Sequence, residues 1–267
     1  MSSAWRSAIA VGAVAMAAST AFLADLSAVA VAKAEALAAI DGERERDPVV
    51  EPEVKADYDG RFAFTRIRVG PRLENFRRQP PWAHDYARAD FHFLKILNEI
   101  TFVRTFIDQG NVVTFDDPDL PLFPIAYLSE PGYWTMSEAE AEGLRNYLRK
   151  GGFLIFDDFR TQANANLFEQ MRHVLPDAVW QPLDVTHPIF HSFFEIKTLE
   201  VDSYYGRASW LGVFEDNDPH KRLMAVANSN HDLGEYWEFS DTGYMPVDIS
   251  NEAYKFGVNY IVYGMTH

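Results

Sequence analysis

The sequence of 267 residues contains no cysteine. Disulfides are therefore unavailable for stability, and a lipid anchor of the bacterial lipoprotein type has no attachment site. No glycine-rich phosphate-binding loop occurs, and no Gly-x-Ser-x-Gly turn. Ser129 follows an apolar run, yet "YLSEPG" lacks the small flanking residues that an exposed serine nucleophile requires. Positive charge is also scarce: 24 Lys and Arg stand against 39 Asp and Glu, a net charge of −15. That balance excludes nucleic acid and anionic membrane surfaces as electrostatic partners. No apolar run reaches the ~20 residues of a spanning helix. A 48% hydrophobic and 14% aromatic composition does supply a substantial core, and the length suits one large α/β domain.

What is present begins with a separate N-terminal region. Residues 1–34 carry Arg6, then an alanine-rich run from Ala8 to Leu23, and close on Ala32-Lys33-Ala34. Such a pattern predicts a secretory signal peptide cleaved near Ala34, with a retained anchor as the alternative. The expected destination is a periplasm, and membrane contact is transient, through this segment. Residues 35–56 are charged and proline-containing and read as a linker, leaving 57–267 as a single folded domain.

Within that domain, short apolar strands alternate with helical segments. Strands are expected at 61–69, 111–115, 123–130, 153–158, 210–216 and 222–230. Helices are expected near 91–99, 137–150 and 165–175, and from about Ser250 to the C-terminus. The helix at 137–150 is the best marked. Ser137 and Glu140 form a capping box, Leu144, Tyr147 and Leu148 an apolar face, and Gly151-Gly152 a stop. The order predicts a mainly parallel sheet between two helical layers. Parallel strands all point their C-terminal ends to one edge, where ligands bind in this architecture.

Five connections deliver polar groups to that edge. They supply His84 and Asp85, then Asp116 and Asp117, Glu130, Asp157 and Asp158, and finally Asn228, His231 and Asp232. Asp157 and Asp158 end an apolar strand, where a carboxylate can act as a base, bind metal or accept hydrogen bonds from a sugar; capping of the next segment is the alternative. Glu130 sits in the sharp turn "SEPGYW". Trp82, His84, Asp85 and Tyr86 lie in a long loop with Arg72, Arg77 and Arg78, a mixture that suits a carbohydrate or a loop anchored by Trp82. His187 precedes a proline and an apolar stretch. "NSNHDLGEYWEFS" concentrates Asn228, His231, Asp232, Glu235, Trp237 and Glu238, and strand alternation would place Glu235 and Trp237 on one face. No spacing matches a zinc or calcium motif, so no cofactor is evident and a divalent metal remains open.

"IAYLSEPGYWTMSEAEAEGLRNYLRKGGFLIFDDF" resembles class I glutamine amidotransferase-like domains, most closely the trehalose-utilisation-protein-like branch. "THPIFHSFFEI" and "GEYWEFSDTG" sharpen the resemblance to the bacterial domain of unknown function 4159, over Tyr58 to His267. The resemblance implies a flavodoxin-like three-layer α/β/α sandwich, and a rim position for a histidine near His187. The superfamily's amidotransferases use a cysteine nucleophile, and this chain has none, so that route is excluded. Some relatives occur in membrane-associated assemblies, which implies an envelope protein partner. Two functions follow as expectations. One is a binding module for a small polar ligand or envelope glycan. The other is a carboxylate-based, metal-assisted hydrolase or isomerase with Asp158 as base and Glu130 or His231 as its partner.

Overall fold

The computed structural model describes residues 58–70, 80–107, 110–203 and 206–267. The expected signal peptide and linker, and Arg72, Arg77 and Arg78, lie outside the described residues. Nine strands are described: β1 Thr65–Ile67, β2 Asn111–Val113, β3 Ile125–Ser129, β4 Phe153–Phe159, β5 Gln181–Pro182, β6 Asp202–Ser203, β7 Gly206–Arg207, β8 Ser209–Phe214 and β9 Leu223–Ser229. The α-helices are α1 Arg88–Ile100, α2 Glu138–Arg149, α3 Asn164–Val174, α4 Leu233–Glu238 and α5 Val247–Thr266.

Seven strands form one sheet in the order β2-β1-β3-β4-β9-β8-β5, and β6 with β7 makes a small hairpin. The pairs from β2 through β9 are parallel; β8 runs antiparallel to β9, and β5 antiparallel to β8. The chain is thus an α/β fold with a mostly parallel sheet. Strand order reverses between β1 and β3, so the connections leaving those two strands diverge and open a crevice at their C-terminal ends.

Side chains alternate between two cores. On one face Tyr127, Ile155 and Val226 pack with Phe93 and Leu97 of α1, Trp237 of α4, and Phe256 and Tyr260 of α5. On the other, Ala126, Leu128, Leu154, Phe156 and Ala227 pack with Leu144 and Leu148 of α2 and Leu167 and Met171 of α3. This period of two explains the unbroken apolar runs, because both faces of β3, β4 and β9 are covered.

Local signals account for the elements. Ser137 Oγ accepts from the Glu140 amide at 3.2 Å while Glu140 Oε2 accepts from the Ser137 amide at 2.7 Å, closing the capping box. Gly151, at φ 111°, ends α2 in a conformation open to glycine. Two expectations change. Only Thr65–Ile67 of the 61–69 segment pairs as a strand, and all three residues are buried. The "EYW" segment is helical, because Asp232 caps it by accepting from the Glu235 amide at 2.8 Å. The alternation assigned to Glu235 and Trp237 therefore does not apply.

Helix α2 lies very close to the turn after β2. A Cβ on Gly143 would sit 2.0 Å from the Phe115 carbonyl oxygen. Backbone cannot yield as a side chain can, so Gly143→Ala is expected to cost about 1–3 kcal/mol through overpacking. Urea unfolding would measure this as a lower midpoint; an unchanged midpoint would contradict such close packing.

Candidate functional site

The site grows from a charge inside β1. Arg66 is fully buried, between Thr65 and Ile67 in the middle of the strand. Its Nη2 donates to Asp90 Oδ1 at 2.5 Å, and Nη1 donates to the carbonyls of Trp82 at 3.2 Å and His84 at 2.7 Å. One guanidinium thus ties β1, the start of α1 and the loop before α1 together. Trp82, 8% exposed, packs into the core and anchors that loop. The result holds His84 and Asp85 over the end of β1.

Three other strand ends meet them. Glu130 follows β3, Asp158 lies near the end of β4, and Asp232 follows β9 and caps α4. Asp85, Glu130 and Asp158 have φ values of 62°, 49° and 54°. Left-handed backbone is unfavourable for residues with a Cβ, so the surrounding packing must hold these three in place. At Asp158 the pairing of β4 with β9 also shifts register between Phe156 and Phe159. The irregularity turns Asp158 toward His84, whose Nδ1 lies 2.5 Å from Asp158 Oδ2. A carboxylate only accepts, so Nδ1–H is the donor. Ser129 Oγ donates to the same oxygen at 3.4 Å, and Glu130 Oε1 lies 3.9 Å from His84 Nδ1.

His84, Asp85, Asp158 and Asp232 each place one potential ligand atom within 4.8 Å of the others. These four could hold a metal ion. Asp85 also belongs to a second group with Glu235 and Glu238. Asp85, Asp158 and Asp232 are buried, whereas the side chains of His84 and Glu130 are 23% and 25% exposed. Solvent therefore reaches the group from the His84 and Glu130 side.

Asp157 serves differently from its neighbour. It accepts from Tyr127 Oη at 2.7 Å, from Asn228 Nδ2 at 2.9 Å, and from the amides of Leu233 and Gly234 at 2.8 and 3.1 Å. Asn228 in turn accepts from Tyr260 Oη at 2.8 Å. Burial pushes the Asp157 carboxyl up to about 7, with the Asn228 and Tyr127 bonds pulling the other way. Asp232 is raised well above the usual carboxylate range, by burial first and then by Asp158 and Asp85. Asp157 is a buried support that fixes the start of α4, and Asp158 is the member of the pair in the four-residue group.

Other sequence candidates lie elsewhere. Asp117 accepts from the Asp119 amide at 2.9 Å and belongs to its own turn. His187 accepts from the Ile189 amide and packs beside Phe214 and Tyr263, at the opposite sheet edge, where β4 and β9 begin. Trp237 is 1% exposed, with its ring 4.5 Å from that of Phe93 in the core. His231 sits among Trp210, Tyr236 and Phe256, and the partner of Asp158 is His84 rather than His231. Arg66, Tyr127 and Ser129 were not expected at the site. Arg66 had a signal, a charge inside a segment expected as a strand; Asp232 and Glu235 had the capping-box spacing that announces a helix.

Burial pushes the His231 imidazole down to about 4. An unfolded histidine titrates near 6.5, so the unfolded chain binds a proton that the folded chain refuses. Stability is then full above pH 6.5 and falls by about 3 kcal/mol as pH drops toward 4. His231→Phe keeps a ring in the aromatic nest and removes this loss. Urea unfolding at pH 7 and pH 4.5, with chelator present, is expected to show wild type falling relative to the variant; a constant difference would contradict the buried neutral histidine.

No curated protein sequence matches the chain. The sequence profile described as "Domain of unknown function (DUF4159)" matches residues 63–265, a span that includes every strand named above, every helix but the last residue of α5, and all four residues of the His84 group. The chain belongs to the DUF4159 family.

Proposed function

We propose that this domain is an exported recognition module that binds a small, neutral, hydroxylated ligand, a carbohydrate or envelope glycan first, at the C-terminal ends of β1, β3, β4 and β9. One observation carries the reading. Four chain segments bring His84, Asp85, Glu130, Asp158 and Asp232 around the reversal of strand order, and solvent reaches them past His84 and Glu130. Sugars offer many hydroxyl donors, which carboxylates accept, and apolar faces, which aromatic rings cover. Tyr236 supplies a ring on the short helix that Asp232 caps. The net charge of −15 weighs against a phosphorylated ligand. The 2.5 Å contact of His84 with Asp158 favours a second reading, in which this pair moves protons in a hydrolysis or isomerisation. The acids are also available to a divalent cation.

Thermal unfolding of the full chain against neutral glycans and their phosphorylated counterparts tests the recognition reading. A neutral glycan at about 100 times its Kd is expected to stabilise the fold by about 2.7 kcal/mol. Glu130→Gln is expected to weaken that ligand about tenfold, the scale of one charge-assisted hydrogen bond. Stabilisation by phosphorylated sugars alone, or by no glycan, would contradict the reading.

A further inference from the structure

We infer that the strand-end acids are a resident site for one divalent cation, with His84, Asp85, Asp158 and Asp232 as its protein ligands. The inference deepens the recognition reading, since it uses the same place and names what a hydroxylated ligand would be held by.

Geometry comes first. Metal–ligand bonds to nitrogen and oxygen run from about 2.0 to 2.6 Å, so two ligands of one ion lie at most about 5 Å apart. All four ligand atoms fall within 4.8 Å of one another. They come from three connections widely separated in sequence, so a local turn does not explain their meeting.

Asp232 provides an independent indication. It is only 7% exposed, and one of its oxygens accepts the Glu235 amide at 2.8 Å. Its other oxygen meets no protein donor among the described residues. Helix capping fixes the side chain beside His84, Asp85 and Asp158. Asp85 and Asp158 each place a carboxylate oxygen within 4.8 Å of one from Asp232. A buried carboxylate surrounded by like charge is costly unless a cation or proton joins it.

The donor set narrows the ion. One imidazole with three carboxylates suits Mn²⁺ or Zn²⁺ better than Ca²⁺, which takes six to eight oxygens. The supports around it suit a metal site. Ser129 Oγ donates to Asp158, and Arg66 holds the His84 carbonyl from behind. Glu130 stands outside the four, on the solvent side, where further coordination positions would face an incoming hydroxyl. Three aspartates that give up their protons to a bound dication would outweigh it by one charge. A neutral hydroxyl is therefore a better additional ligand there than a phosphate.

The test uses the full chain, stripped with chelator and titrated with Mn²⁺ and Zn²⁺ by calorimetry and thermal unfolding. Wild type is expected to take up about one equivalent saturably and to gain thermal stability. Asp232→Asn and His84→Gln are each expected to weaken uptake about tenfold or more. Stripped Asp232→Asn is expected to be more stable than stripped wild type, because it relieves repulsion among the acids. No saturable uptake by wild type, or uptake unchanged in both variants, overturns the inference. Glycan stabilisation of stripped protein that takes up no cation leaves the recognition reading standing alone. Cation uptake with no glycan effect leaves the cation site standing and removes the recognition reading.

Discussion

Acid crowding in the interior is the constraint on which the rest of this structure depends. Asp85, Asp157, Asp158 and Asp232 are all buried at one edge of the sheet. Carboxylates in a low-dielectric interior repel strongly and lose hydration, so each needs donors, protons or a cation. Asp157 meets the requirement with four donors, two of them backbone amides. Asp158 meets it with His84 and Ser129. Apolar residues at these positions would carry no such requirement, so the acids set the hydrogen-bonding pattern of this edge.

Arg66 makes the crowding possible. Its guanidinium is fully buried, bonded to Asp90 and to two carbonyls of the loop that bears His84 and Asp85. Buried ion pairs are poor sources of stability, because desolvation offsets their attraction, but they are strict about geometry. Here the geometry sets the position of a loop. The left-handed conformations at Asp85, Glu130 and Asp158 belong to the same economy: packing elsewhere holds a backbone that those residues would not choose alone.

Much of this was legible in the sequence, and the exceptions have physical causes. The capping box at Ser137, the apolar run into Asp157 and Asp158, and the alternation of strands and helices all reflect local chemistry, and the sheet follows from them. Parallel strand ends sharing one edge bring Glu130, Asp158, His84, Asp85 and Asp232 together. His84 could not be chosen over His231 from spacing, because the choice depends on Arg66 folding a distant loop. His187 lies at the far edge because it caps a short turn beside the C-terminal helix, beyond the reach of any strand rule. The helix at Leu233–Glu238 was masked by the alternating look of six residues.

The most direct measurement is a crystal structure of the full chain soaked in Mn²⁺, with anomalous scattering recorded for the metal. The expected result is one strong peak enclosed by His84, Asp85, Asp158 and Asp232. A map with no peak there, or with these four side chains pointing to separate parts of the molecule, would contradict the central claim that the strand ends build a single site.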